Sequence, residues 1–278
     1  MTTTPMPTDP TGSSPAPYTF DNDNPNAIDQ HECLAAILDD STTQRLSALG
    51  DLTGRRCLEV GAGGGSIARW LADAVGDSGR VTATDVNVRH IPPHRRLRVV
   101  HHDITTDPPP DPPYDLIHAR LVLLHLPQRR AVLAALASAL APGGVLVVEE
   151  WHTEIRDAVL AAPTKEAKSL FETYHDTLVG AIFAARGHDP GWARQVHGEM
   201  MELGLIEVDT VVSARSWPGG SPGTLLAASN LEHLRPRFLA AGMTDAQIDR
   251  LRGYLYDPRL VVRGNLTYST LGRRPARS

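Results

Sequence analysis

The spacing of apolar and polar positions divides the chain into three stretches of different character. Before residue 56 the period is helical. Leu34, Ile37 and Leu38 share one face, and Ser41-Thr42 predicts a restart into a second short helix carrying Leu46 and Leu49 and ended by Gly50. Residues 56–148 then read as five short apolar strands: Arg56–Val60, Val81–Thr84, Leu97–Val100, Tyr114–His118 and Val145–Val148. Helical stripes separate them, one with Ile67, Trp70, Leu71, Ala74 and Val75, another with Leu133, Leu136, Ala137 and Leu140 after Pro127 in a first turn. Pro108 to Pro113 can be neither helix nor central strand. Strands alternating with helices give an α/β parallel sheet, because parallel neighbours need long crossovers.

Beyond Trp151 the pattern changes. A long helix is expected from about 157 to 186, with Phe171, Tyr174, Leu178 and Ile182 on one face. The Gly187–Gly191 break leads to a helix around 192–203, and Ile206–Ser216 alternates like a strand. Helices at about 224–240 and 244–256 precede a closing strand, Val261–Leu271.

Composition narrows the function classes. The chain has 278 residues, 41% of them hydrophobic, enough for one large domain with a helical extra. A net charge of −5 without any Lys/Arg run beyond a pair argues against a nucleic-acid partner. Two cysteines, Cys33 and Cys57, lack metal or disulfide spacing, and His90/His94 and His101-His102 lack a third ligand, so no metal is expected. Residues 1–17, rich in Thr, Pro and Ser, read as a disordered tail rather than a signal peptide. No apolar run is long enough to span a bilayer, and the chain reads as soluble, cytoplasmic and without a membrane partner.

The strongest chemical signal is the junction of strand, glycine loop and helix at Glu59–Ser66. Glycines let backbone approach a ligand, and the free N–H groups of a helix start favour its polar or anionic groups. Nicotinamide- and flavin-binding domains use a similar turn. Here the glycines run Gly61-x-Gly63-x-Gly65, tighter than GxGxxG, and neither Tyr114 nor Tyr174 has a Lys four residues on. Asp85 at the next strand end suits ribose hydroxyls in either class, so an adenosine-type ligand follows but not its kind.

Five segments in order decide further. Leu58–Ser66 resembles motif I of the class I, Rossmann-like S-adenosylmethionine-dependent methyltransferases. Thr84–Asn87 resembles their second-strand acidic motif, His102–Ile104 their third-strand motif, Tyr114–Pro127 motif II and Leu140–Val148 motif III. The nearest resemblance is to small-molecule enzymes of actinobacterial natural-product biosynthesis. It covers about 18–151, and it implies a seven-stranded, mostly parallel sheet ending in an antiparallel hairpin formed by Ile206–Ser216 and Val261–Leu271. The implied layout is a lid at 18–50, a donor-binding core at 51–152, and helical cap insertions with the closing hairpin at 153–278.

The resemblance also implies roles. Gly61, Ala62, Gly63 and Gly65 would line the methionine and ribose portion of the donor, with Glu59 orienting the loop. Asp85 would accept from the ribose hydroxyls and Asp103 from the adenine amino group, with Val86 and Ile104 packing on the base. Ala119 and Arg120 would lie at the methionyl end, Arg120 pairing with its carboxylate. Tyr18 and Phe20 would close over the donor.

Methyl transfer from a sulfonium is an in-line displacement that needs mainly proximity. A general base is required only if the acceptor must lose a proton. His125, Tyr18 and Glu150 are the candidate catalytic groups, although His125 is equally a core or capping histidine and Glu150 a strand terminus. Phe20, Tyr174, His175, Trp192 and Asn230 are the candidates for the acceptor, a small molecule methylated on O, N or an electron-rich carbon. S-adenosylhomocysteine would be the other product, and a homodimer is among the assemblies allowed. Competing readings are a dinucleotide-dependent oxidoreductase and an adenosylmethionine-binding protein of this fold with non-methylating chemistry.

Overall fold

A computed structural model describes residues 27–276; Tyr18 and Phe20 lie outside the described residues. Ten strands and eight α-helices are found among them. The first helix, α1 (Ala27–Ser47), is continuous where two short helices were expected. The Ser41 and Thr43 hydroxyls explain this. They donate to the Leu38 and Asp39 carbonyls at 2.8 Å, so they are satisfied inside the helix instead of capping a new one.

The expected parallel strands follow as β1 (Arg56–Val60), β2 (Arg80–Asp85), β3 (Leu97–His101), β4 (Tyr114–Arg120) and β5 (Leu140–His152). Crossing helices include α2 (Ser66–Ala74) and α3 (Arg129–Ser138). α3 begins after Pro127, and Leu140, expected on its stripe, pairs instead with Tyr114 in the sheet. With β7 (Ile206–Ser213) and β10 (Leu266–Arg273) the strands form one sheet in the order β3-β2-β1-β4-β5-β10-β7. β10 runs antiparallel to both β5 and β7. The order reverses between β1 and β4, where an open α/β sheet leaves a crevice at its carboxyl edge.

Both faces of the sheet are packed. Leu71, Val75, Val81 and Val147 meet Leu46 on one side; Leu133, Leu136 and Leu146 meet Trp192 and Met200 of the α5 region (Val196–Glu202) on the other.

The two late strands were expected to be longer than they are. Each divides where the chain leaves the large sheet: β8 (Ser216–Pro218) follows β7, and β9 (Val261–Arg263) precedes β10. With β6 (Val159–Ala161) they make a separate sheet in the order β6-β9-β8. Consequently the long helix expected from 157 starts later, as α4 (Lys165–Thr177), capped by the Thr164 hydroxyl accepting from the Ala167 N–H. A π turn over Leu178–Phe183 extends it. α6 (Pro222–His233) and α7 (Arg235–Ala240) are two helices instead of one, because Leu234 leaves helical geometry before Pro236. α8 (Asp245–Leu255) starts in a Thr244/Gln247 capping box. These elements bury their own core, with Leu170, Phe171, Leu231, Phe238, Ile248 and Leu251 at its centre. No described helix is long and apolar enough to cross a membrane.

Candidate active site

A cavity of about 1020 Å³ runs from the carboxyl ends of β1, β2 and β4 to the small sheet and α4/α6. That volume is at the upper end for small-molecule sites, room enough for two reactants.

At one end lies the glycine loop. Gly61, Gly63 and Gly65 take φ of 65°, 53° and 77°, values that L side chains resist. Gly61 is under a second constraint, since a Cβ there would lie 2.4 Å from Val122 Cγ2. Gly65, the N-cap of α2, brings no side chain to the helix start, so the first-turn N–H groups remain directed at the loop. The Asp85 carboxylate accepts from the Gly63 and Asn87 N–H groups, each at 2.8 Å, which aims it across the loop. Val86 beside it is 46% exposed at the cavity wall. Asp103 accepts from the Thr105 N–H and hydroxyl at 2.9 and 2.7 Å through one oxygen. An uncapped helix start, an aimed carboxylate and an exposed apolar side chain beside it fit a nucleoside-bearing ligand.

Glu59 also faces the cavity, but its carboxylate is committed underneath. Glu59 Oε2 lies 2.7 Å from His118 Nδ1, and His118 Nε2 lies 3.4 Å from Glu149 Oε2. Thr42 donates to the same Glu149 oxygen. Burial alone would lower the His118 pKa, but the two carboxylates raise it to about 9. Burial likewise opposes ionisation of Glu149, and His118 brings it down to about 2. Both shifts favour an imidazolium at His118 beside Glu149, with Glu59 on its other ring nitrogen.

Arg120 is tied to α1. It donates to Asp39 at 2.9 Å and to Thr42 at 3.0 Å, where the resemblance implied a ligand carboxylate. Ala119 is fully buried inside β4 and does not reach the cavity.

Residues 30–210 match the profile of the methyltransferase-domain family. The chain belongs to that family. Among curated proteins it is similar to two methyltransferases of Strobilurus tenacellus. It is 36% identical to str2 over 101 residues, covering 34% of this chain and 35% of str2. It is 32% identical to str3 over 126 residues, covering 44% and 43% respectively. The similarity thus spans less than half of those relatives. A solved structure of a methyltransferase-like protein from Bacillus halodurans C-125 shares the fold, with a TM-score of 0.53 at 17% identity, over 85% of this chain and all of that one. The strand order described above is the Rossmann-like arrangement of this methyltransferase fold.

At the other end of the cavity the walls are mostly apolar and aromatic: Ile155, Phe171, Tyr174, Phe183, Trp217 and Leu226. Of the residues singled out in the sequence, Tyr174, His175, Asn230 and His125 line it. Asn230 donates to the Tyr174 hydroxyl at 3.2 Å and accepts from Gln30 of α1 at 3.0 Å. Burial pushes the Tyr174 phenol up, so it stays neutral and can donate. The His125 ring packs edge-on against Phe183 and 5.2 Å from His188, whose Nε2 is 2.8 Å from the Thr153 hydroxyl. Burial, then His188 and Arg129, bring His125 down to about 3.

Two expectations are corrected. Trp192 is fully buried with Leu133 and Val196 behind the sheet and does not line the cavity. Glu150 turns the same way. Its Oε1 accepts from the Leu123 N–H at 2.8 Å, capping the turn that carries His125, and burial raises its pKa to about 8. It is a structural acid here, not a base facing the acceptor. His31, Gln30, Thr153, His188, Arg215 and Trp217 line the cavity and were not singled out. Among the described residues, no group of three or more His, Cys, Asp or Glu could hold a metal ion.

Proposed function

We propose that the chain transfers a methyl group from S-adenosylmethionine to a small molecule held in the apolar end of this cavity. The observation that carries the proposal is continuity: one cavity joins the glycine loop, with Asp85 and Asp103, to an aromatic chamber under the cap. Residues 51–152 would hold the donor, 153–278 the acceptor, and 18–50 would close over both.

When bound, the donor supplies an electrophilic methyl on a sulfonium. The protein's part is then to orient and to exclude water. The first-turn N–H groups of α2 would face the methionyl end, Asp85 would accept from the ribose hydroxyls, and Val86 with Ile104 would sandwich the base. Tyr174 would donate to an acceptor oxygen, its own oxygen already supplied by Asn230. His125, held neutral near neutral pH, is a weak base. Rate enhancement would come chiefly from proximity and alignment. Tailoring of a secondary metabolite is the setting this supports, since a mostly apolar, aromatic chamber suits a small molecule.

Incubation with methyl-labelled S-adenosylmethionine and a panel of phenols, amines and indoles tests this. Label in at least one small-molecule product, abolished by excess S-adenosylhomocysteine, is expected. Donor binding without label in any acceptor would favour non-methylating chemistry.

A further inference from the structure

The segments that build the acceptor chamber line it with arginines and with no carboxylate. Cavity-lining residues from 158–183, 213–217, 223–230 and 262–267 include no Asp or Glu. The acidic lining residues Glu32, Asp40, Glu59, Asp85 and Asp103 sit on α1 and at or just beyond the ends of β1, β2 and β3. Arg215 and Arg263, by contrast, stand where the chain crosses between the large and small sheets. Arg263 pairs in register with Ser216, and the Gly264 N–H donates to the Arg215 carbonyl at 2.9 Å, so the two crossings lie side by side.

Neither arginine has a carboxylate partner among the described residues. Arg263 donates one N–H to the Gly264 carbonyl at 3.2 Å, and Arg215 lies 5.4 Å from the Trp217 ring centroid. Carboxylates in the neighbourhood are engaged elsewhere or face solvent. Glu154 is 3.5 Å from Arg194 and 3.6 Å from His152, while Asp176, beside His175, is 83% exposed. Burial lowers the His175 pKa, the neighbouring Asp176 opposes this, and the charge of Arg263 adds to the lowering from inside the chamber. Arg263 is half-buried and Arg215 exposed, and a half-buried cation facing an apolar chamber leaves desolvation uncompensated until an anion arrives. The guanidinium fork matches a planar carboxylate in a way that a single ammonium does not.

We infer that the acceptor is a carboxylic acid with a flat apolar body, and that Arg263, assisted by Arg215, receives its carboxylate where the two sheets meet. The body would then lie among Phe171, Trp217 and Tyr174, with the nucleophilic atom at the end nearer the glycine loop. This rests on the methyl-transfer reading for its chemistry but not for its test, which reads binding without turnover.

The test uses matched acid and primary amide pairs: indole-3-acetic acid with indole-3-acetamide, salicylic acid with salicylamide, and 4-hydroxyphenylacetic acid with its amide. Each is titrated calorimetrically into the full chain saturated with S-adenosylhomocysteine. At least one acid should bind tenfold or more tightly than its amide, and the ratio should fall towards one in Arg263→Gln while homocysteine-analogue affinity is unchanged. Arg263→Lys should recover only part of the preference. Equal binding of acid and amide, binding of no acid, or a preference untouched by Arg263→Gln overturns the inference. Loss of methyl transfer with the acid preference intact would count against the proposed reaction alone.

Discussion

The two ends of the cavity are built in opposite ways. The glycine-loop end, proposed for the donor, is local: one strand, one turn and one helix start, within Arg56–Ala74, with Asp85 from the adjacent strand. Backbone conformation does most of its work, through positive-φ glycines and N–H groups. The aromatic end, proposed for the acceptor, is assembled from side chains far apart in the chain. Gln30, Tyr174 and Asn230 form one hydrogen-bonded line from three helices, and Arg215 and Arg263 meet through the small sheet. A site made of backbone constrains its sequence, and a site made of converging side chains constrains only its geometry.

The largest effect that would probe this contrast concerns the foundation under the donor end. His118→Gln leaves Glu59 and Glu149 buried without their cation, and breaking such a pair costs about 3–5 kcal/mol. Denaturant unfolding should show a loss of this order, whereas a loss below about 1 kcal/mol would refute the buried imidazolium. The pH dependence has a definite sign. The folded His118 pKa, about 9, exceeds the ordinary 6.5. Its stabilisation is therefore complete below pH 6.5 and lost as pH rises to 9. Glu150, raised to about 8 from 4.5, acts in the same direction between those values. The melting temperature should fall between pH 6.5 and 9, and the fall should shrink in His118→Gln.

A smaller, crossed pair of effects would separate the two ends. Asp85→Ala should weaken S-adenosylhomocysteine by about 1–3 kcal/mol, the scale of a lost charged hydrogen bond, with acceptor affinity little changed. Tyr174→Phe should raise the acceptor KM by an amount worth about 1 kcal/mol and leave donor affinity alone. Equal effects of both variants on both ligands would mean that the ends are one site.

The same contrast explains what was legible in the sequence. The turn through Gly61, Gly63 and Gly65 and the strand end at Asp85 were legible because such features leave local marks. The partner of Glu59 was not, because His118 becomes its neighbour only once β4 lies against β1. The contacts of Arg120, which lines the cavity, were not legible for the same reason: they come from α1, far upstream. Trp192 and Tyr174 look alike as aromatic residues in helical stretches, and only packing sends one behind the sheet and the other into the cavity. Arg215 and Arg263 left no signal, since the division of the two late strands between two sheets has no counterpart in their alternation.

The central claim, that the glycine-rich end serves a methyl donor and not a dinucleotide, is tested most directly by calorimetric titration of the unmodified chain with S-adenosylhomocysteine and with NAD. One binding event per chain for S-adenosylhomocysteine and none for NAD is the predicted result. Binding of NAD without S-adenosylhomocysteine would contradict it.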